Sequence, residues 1–305
     1  GSAFSSGWHH FAITRASDVW MLFVDGTQVN TQEWTGSIGD ASHPVIIGRD
    51  THSSGRYETN GYIDDFRILK GYAKYTADFV PPTSAVGTSI SETVNDLTVL
   101  YMPFDDDSFE NQARNHGVTK NGNATLNTSV KKFGTSSLYL DGTGDYLEIP
   151  SSGDFHYGAS DFTIEMFVYM SSNSSSSDPM NLISKWEDGQ RSWAFELETS
   201  NKPRIRFSYD GSTKNVDTTL GTDVAPSSGQ WHHLAFVRNG ETLTAYLDGT
   251  AGSTTIDLGT NSLASPTSSV YIGQRGDARY FNGYIDDLRI IKGLAKYTAN
   301  FTAPT

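Results

Sequence analysis

The chain of 305 residues carries 22 basic and 35 acidic side chains, which gives a formal net charge of −13 at pH 7. This acidic excess argues against binding of duplex DNA or RNA, because that affinity depends on clustered cations that neutralise phosphates. The absence of cysteine excludes disulfides, zinc–thiolate sites and cysteine nucleophiles. No apolar run approaches the ~18 residues that a membrane span needs. Aromatic residues make up 12% of the chain and glycines number 29, a composition typical of a folded β protein.

An internal repeat divides the chain. Residues 60–83 and 282–305 are identical at 18 of 24 positions, and GWHHFAITR at 7–15 corresponds to QWHHLAFVR at 230–238. The nearly constant offset, 222 residues for the first match and 223 for the second, indicates tandem copies of one domain. Residues 1–83 match only the later part of a full unit, so we expect a partial first copy at 1–83, a linker at 84–95 and a complete domain at 96–305. On this interpretation the chain is a fragment of a longer, multi-domain protein.

Strands dominate the predicted secondary structure. Short β-rich segments bounded by Gly, Asp and Asn turns predict strands in chain order at 97–103, 136–141, 145–149, 162–170, 181–186, 192–199, 203–209, 231–237, 243–247, 268–273 and 284–291. One helical turn is predicted at 294–297. Strands spaced by ~8–12 residues predict an all-β, antiparallel two-sheet sandwich of the jelly-roll type.

Several segments carry a family resemblance. WHHLAFVR at 231–238, AYLDG at 245–249 and GYIDDLRIIKGLAKY at 283–297 resemble the laminin G-like, concanavalin A-like lectin superfamily. The resemblance extends upstream through YMPFD at 101–105 and FTIEMFV at 162–168. It implies a concanavalin A-like jelly roll that binds glycans or protein surfaces and often carries calcium. Such modules occur in bacterial surface proteins and phage tail or virion proteins, which implies an extracellular, cell-surface or virion location.

Paired aspartates interrupt the apolar strand near the end of each copy. An unpartnered buried carboxylate is costly, so these side chains need a cation or a hydrogen-bond donor. One interpretation is a structural calcium site, because calcium prefers oxygen ligands. The alternatives are ion pairs with Arg289 or Arg275, or caps on loop amides. The candidate calcium ligands are Asp286, Asp287, their repeat counterparts Asp64 and Asp65, and the upstream Asp105 and Asp106.

Each copy also contains a His-His pair, His9-His10 and His232-His233. Adjacent strand residues face opposite sides of a sheet, so one pair cannot bind a single ion from the same face. We therefore expect a structural role, with one histidine of the pair packed beside Trp231 and the other solvated.

Loops rich in aromatic, amide and carboxylate groups are the candidates for glycan binding, because sugars offer hydroxyls for hydrogen bonds and apolar faces for aromatic rings. Trp186 and Trp193 are equally consistent with the core, given their strand positions. The predicted ligand-binding residues are Trp186, Asp188, Trp193, Tyr209, Asp210, Arg275, Asp277, Tyr280 and Asn282.

Enzymatic activity is disfavoured. Glu196 and Glu198 lie two residues apart and face the same side of a strand, as a glycoside hydrolase pair could. However, the tight Glu-x-Asp-x-Glu type of signature of related glucanases is missing, as are zinc-protease, serine-hydrolase and phosphate-loop motifs.

The sequence leaves two main functional hypotheses. The first is a non-catalytic lectin-like module that recognises glycans or a host surface. The second is a decoration or fibre subunit without a ligand, in which exposed strand edges of the partial copy pair with other copies of the protein. A glycoside hydrolase is the third and weakest alternative.

Overall fold

The computed structural model describes residues 6–16, 18–36, 46–48, 59–64, 66, 68, 73–81, 97–105, 109–114, 116–175, 179–277 and 279–305. The predicted linker at 84–95 lies outside the described residues. Contacts between Cα atoms divide the chain into unit 1, Gly1–Glu92, and unit 2, Thr93–Thr305.

The described residues of unit 1 form an antiparallel sheet in the order β1-β2-β3. Its strands are β1 (Phe11–Ala16), β2 (Val19–Val24) and β3 (Thr27–Glu33).

Unit 2 is an antiparallel two-sheet sandwich, as the sequence predicts. Its strands are β4 (Thr98–Met102), β5 (Thr119–Asn121), β6 (Thr125–Asn127), β7 (Ser137–Asp141), β8 (Tyr146–Ile149), β9 (Phe162–Met170), β10 (Met180–Glu187), β11 (Gln190–Glu198), β12 (Lys202–Phe207), β13 (Val216–Thr219), β14 (Trp231–Asn239), β15 (Thr242–Leu247), β16 (Thr250–Ala251), β17 (Ile256–Asp257), β18 (Val270–Ile272), β19 (Gln274–Arg275), β20 (Arg279–Tyr280) and β21 (Asn282–Lys292). Short 3-10 turns occur at Gly153–Phe155, Thr199–Asn201 and Thr222–Val224.

The seven-stranded sheet has the order β13-β12-β11-β10-β18-β8-β5. The nine-stranded sheet has the order β16-β15-β14-β9-β21-β7-β6, and β17 and β4 pair additionally with β15 and β21. A small hairpin, β19-β20, completes the unit.

Alternation along each strand places the core between the two sheets. In β9, Phe162, Ile164, Met166 and Val168 face the core, whereas Glu165 and its alternate neighbours face outward. The two sheets together bury one large apolar cluster, which is the main source of stability in a sandwich of this kind.

The segment after β21 corrects one prediction. No helical turn forms at 294–297; instead the chain continues as an irregular strap across the outer face of the nine-stranded sheet. Tyr297 and Phe301 stack on each other with ring centroids 3.5 Å apart. The strap docks against the turn at Gly249, whose carbonyl accepts a 2.9 Å hydrogen bond from the Phe301 amide. A Cβ atom on Gly249 would lie 1.9 Å from the Phe301 carbonyl oxygen, so a side chain is excluded there.

Within the described residues, no helix is long and apolar enough to cross a membrane.

Candidate ligand-binding site

A small surface cleft of about 110 Å³ lies on the outer face of the seven-stranded sheet, beside the β19-β20 hairpin. We name it the charged cleft because most of its lining is ionisable. Its lining residues are Trp186, Glu187, Asp188, Arg191, Arg206, Lys214, Arg275, Gly276 and Asp277. The structure thus brings together four of the predicted ligand residues: Trp186, Asp188, Arg275 and Asp277.

Arg275 anchors the hairpin to the sheet. Its guanidinium donates to Glu196 on β11 and to both carboxylate oxygens of Asp277, at 2.7 and 2.5 Å for the latter. Burial alone would lower the pKa of Arg275, but the hydrogen bonds and negative charges of these two carboxylates outweigh it and raise the pKa. Arg275 is therefore a permanently charged support of the cleft, and the RGD tripeptide at 275–277 is part of this internal ion-pair network.

Trp186 contributes little exposed surface. Its side chain is 5% exposed, and the Arg191 guanidinium carbon lies 5.7 Å from its ring centroid. Arg191 is held there by a 2.5 Å hydrogen bond to Asp188. A ligand in the cleft would therefore meet the guanidinium of Arg191 rather than the indole face.

The sequence interpretation missed Arg206 and Lys214. Arg206 lies on β12 with its guanidinium 3.3 Å from carboxylate oxygens of Glu196 and Asp217. Lys214 follows in the next turn, with its ammonium 3.7 Å from Asp217 and its side chain 48% exposed. Arg204 and Arg206 alternate with apolar residues along β12, which is the sequence signal that these two arginines share the outer face with Glu196.

Both glutamates of the hydrolase alternative are held in ion pairs. Glu196 is fully buried and contacts Arg275 and Arg206. Glu198 accepts 2.6 Å hydrogen bonds from the guanidinium of Arg204 and from the hydroxyl of Thr219. Carboxylates with these partners are not arranged as a general acid and base around a substrate.

The remaining predicted ligand residues lie elsewhere. Trp193 is a correction: its side chain is completely buried in the core and stacks on Tyr157 with centroids 5.4 Å apart, so it cannot contact a ligand. Tyr209 is half-buried and packs against the core. Asp210 is exposed and caps its own turn, because its carboxylate accepts from the amides of Ser212 and Thr213. These hydrogen bonds lower the pKa of Asp210.

Tyr280 and Asn282 flank the crossing of the chain from one sheet to the other. Tyr280 ends the hairpin with its ring centroid 6.5 Å from that of Tyr146 on the seven-stranded sheet. Asn282 begins β21 in the nine-stranded sheet, opposite Asp141 of β7.

The candidate calcium ligands are hydrogen-bonded to protein groups. β21 pairs first with β7 and then with β4, and Asp286 lies where this pairing changes. One oxygen of Asp286 accepts from the amides of Lys132 and Phe133, at 2.8 and 3.1 Å, and the other from Asp287 at 2.9 Å. Burial raises the pKa of Asp286 to about 6.

The other described aspartates also have protein donors. Asp287 accepts a 2.9 Å hydrogen bond from the Tyr101 hydroxyl, and Asp105 accepts a 2.7 Å hydrogen bond from the Thr135 amide. Asp64 is exposed in unit 1; Asp65 and Asp106 lie outside the described residues. Among the described residues, no three carboxylate or histidine groups form a cluster that could hold a metal ion. The geometry matches the alternative of caps on loop amides, and structural calcium stays an untested prediction.

Neither histidine of the second pair is solvated, which corrects the expectation for one of them. His232 is hydrogen-bonded to Asp248 at 2.7 Å, and His233 lies 3.5 Å from Glu165 on the opposite face of β14. Both side chains are buried.

A comparison with protein family models identifies the family of the chain. The Laminin G family model, described as the concanavalin A-like lectin/glucanases superfamily, matches residues 1–73 and 141–295. The chain belongs to this superfamily. Its two matched segments agree with a partial copy followed by a second copy of the same domain.

Solved structures share the fold. The binding domain of Paraclostridial Mosquitocidal Protein 1 is 14% identical with a TM-score of 0.55, over 67% of this chain and 51% of that one. The botulinum neurotoxin serotype D ligand-binding domain, solved with N-acetylneuraminic acid, is 15% identical with a TM-score of 0.54, over 68% of this chain and 50% of that one. The match thus spans about half the length of these structures. The comparison with curated protein sequences found no match.

Proposed function

We propose that unit 2 is a non-catalytic, lectin-like recognition module whose charged cleft binds an acidic sugar. The observation that carries the proposal is the convergence of Arg191, Arg206 and Lys214 on one cleft of a chain with a net charge of −13. These three cations are ion-paired with Asp188, Glu196 and Asp217, and the anionic group of an acidic sugar would compete with those carboxylates for them. The carboxylates of Asp188 and Asp277 at the same cleft are suited to accept hydrogen bonds from sugar hydroxyls.

The family and fold support a binding role. The neurotoxin domain with the same fold was solved with N-acetylneuraminic acid, which is itself an acidic sugar. A recognition module of this kind would act outside the cell, on a cell surface or a virion, as the sequence resemblance implies.

The test is a ligand-observed NMR titration of the full chain with sialyllactose and, in parallel, with lactose. We expect binding of sialyllactose alone, because lactose lacks the carboxylate. Lys214→Gln should weaken that binding about two- to fivefold, the effect of a partly exposed ion pair of ~0.5–1 kcal/mol. Lys131→Gln makes the same change of charge outside the cleft and should leave the affinity unaltered. Equal binding of lactose, or an unaffected Lys214→Gln variant, would contradict the proposal.

A second candidate is self-association through unit 1. Among the described residues, all the large hydrophobic side chains that are exposed belong to unit 1, including Trp8, Phe11, Ile13, Tyr62 and Ile68. Exposed apolar side chains are typical of an interaction face, and β1 and β3 are the edge strands of the described sheet, where another chain could pair. Sedimentation velocity over a range of protein concentrations tests this candidate. A strictly monomeric chain would exclude it.

A further inference from the structure

Four aromatic side chains form a line across the outer face of the nine-stranded sheet. Three cross-strand pairs define the line: Tyr139 of β7 with Tyr284 of β21, Tyr284 with Tyr169 of β9, and Tyr169 with Trp231 of β14. We name these four residues the aromatic row. Adjacent ring centroids are 4.9, 5.6 and 5.8 Å apart along the row. With strands ~4.8 Å apart, the row is roughly 15 Å long.

The aromatic row lies next to the covered part of this face. One neighbouring residue, Phe167, is covered by Phe133, whose ring centroid lies 5.0 Å away. Another, His233, is covered by the strap residue Phe301 at 5.7 Å. The four residues of the row are only half-buried. The row is therefore a part of the outer face that the loop carrying Phe133 and the strap leave accessible.

A line of polar groups runs beside the row. Asp141 and Asn282 are paired across β7 and β21, two residues beyond Tyr139 and Tyr284 on the same face. Ser171 follows β9 and donates its amide to the Asn282 carbonyl at 3.1 Å. We name Asp141, Asn282 and Ser171 the polar row. It offers a carboxylate, a carboxamide and a hydroxyl beside the aromatic rings.

Cross-strand aromatic pairs stabilise sheets, so packing alone is one reason for such a row. The internal repeat adds a second observation. Unit 1 has Trp8 and Tyr62 at the positions of Trp231 and Tyr284, so both copies carry aromatic side chains at these two positions of the row.

We propose that the aromatic row is a second sugar-binding surface, which takes the flat face of a linear, neutral, β-linked hexopyranose chain. The C–H faces of such sugars are apolar and stack on aromatic rings, while their equatorial hydroxyls point sideways toward the polar row. Neither row contains a basic residue, so the surface favours a neutral glycan over the acidic sugar proposed for the charged cleft. A straight line of rings matches an extended polymer better than a compact, branched one. This proposal does not depend on the charged cleft.

Native affinity electrophoresis of the full chain tests the proposal. The probe is hydroxyethylcellulose, a soluble β-1,4-glucan derivative, and soluble starch is the control of opposite linkage. We expect retardation by hydroxyethylcellulose alone. Tyr284→Ala, at the centre of the row, should weaken the retardation about tenfold, and Trp231→Ala at its end should weaken it by a smaller factor. Tyr284→Phe keeps the ring and should stay within about twofold of the parent chain.

Matched controls separate this surface from the rest of the molecule. Tyr146→Ala removes a half-buried tyrosine from the other sheet and should leave the retardation unchanged. Lys214→Gln should also leave it unchanged, while Tyr284→Ala should not alter sialyllactose binding. A thermal melt of each variant checks its folding, and Trp231→Ala decides the test if Tyr284→Ala unfolds.

Three outcomes would overturn the proposal. The first is a parent chain that hydroxyethylcellulose does not retard. The second is equal retardation of the parent, Tyr284→Ala and Trp231→Ala. The third is a parent chain that dimerises in sedimentation velocity, becomes monomeric with Tyr284→Ala and shows no glucan binding; a second copy would then occupy the row.

Discussion

The segments that repeat between the two units are buried very differently. Phe11 and Ile13 in β1 are 54% and 69% exposed, whereas their repeat counterparts in β14, Leu234 and Phe236, are completely buried. In unit 2 these positions face a second sheet, and the structure describes a single sheet in unit 1. An alternating strand pattern therefore marks an apolar face of a strand. Whether that face is buried depends on strands from elsewhere in the sequence.

Local structure, by contrast, is reproduced in both units. His9 contacts Asp25 at 2.7 Å, and His232 contacts Asp248 at the same distance. In both cases the aspartate also accepts a hydrogen bond from the amide of the next histidine. The turn glycines 26 and 249 accept equivalent 2.9 Å hydrogen bonds from Phe79 and Phe301. Contacts within one hairpin and its strap therefore form in either copy.

The largest expected difference between the units comes from a core truncation. Phe236→Ala in unit 2 removes a ring that lies 4.6 Å from Phe195, and it should lower the free energy of unfolding by about 3–5 kcal/mol. The counterpart Ile13→Ala should change it by less than about 1 kcal/mol, because that side chain is largely exposed. Urea denaturation measures both. A similar loss for both variants would show that unit 1 buries this face against a partner in solution.

Glu165 should make the stability of unit 2 depend on pH. Burial alone would raise the pKa of Glu165, but His233, Lys296 and Tyr297 outweigh it and lower the pKa to about 2. A lowered folded-state pKa stabilises the fold above the unfolded value of 4.5, and this stability disappears as the pH falls toward 2. The effect is on the order of 3 kcal/mol. The repeat in unit 1 includes no counterpart of β9.

The matched variant is Glu165→Gln. Urea denaturation between pH 7 and pH 2.5 should show a stability loss for this variant that is largest at pH 7 and shrinks at the acidic end. A loss of constant size across that range would mean that Glu165 acts through packing rather than through its charge.

Asp286 and its repeat counterpart Asp64 allow a comparison of the two units with a smaller expected change in stability. Asp286→Ala leaves the half-buried amides of Lys132 and Phe133 without this acceptor and should cost about 1–3 kcal/mol. Asp64→Ala changes an exposed position of unit 1 and should stay within about 0.5 kcal/mol of the parent chain. Equal losses would indicate that the paired aspartates have the same role in both units.

The smallest expected effect is that of calcium. The oxygens of Asp286 already accept amide hydrogen bonds. We therefore expect the melting temperature in about 5 mM calcium to agree within about 1 °C with the melting temperature in the presence of a chelator. A rise of several degrees would contradict the amide-cap interpretation and assign an ion to the aspartates. Asp286→Asn would then abolish the rise.

Much of the fold was predictable because its signals are local. Gly-rich turns and β-rich segments placed the main strands of unit 2 to within a few residues, and the repeat located the related segment of unit 1. The short strands β5, β6, β13, β16, β17, β19 and β20 were missed, since two to four residues carry too little pattern. The helical turn at 294–297 was wrong because tertiary packing of Tyr297 and Phe301 decides the path of that segment.

The candidate site was predictable only in part. Asp188, Arg275 and Asp277 were identified from loop composition, but Arg206 and Lys214 reach the charged cleft from a different hairpin. Nor did the sequence separate Trp186 from Trp193: Trp193 lies in the core, and Trp186 lines the charged cleft. Strand positions and turns could be predicted because they depend on neighbouring residues, and the repeat is visible by comparing two segments of the sequence. The buried face of each strand and the meeting of distant side chains could not be predicted, because sheet pairing joins residues far apart in the chain.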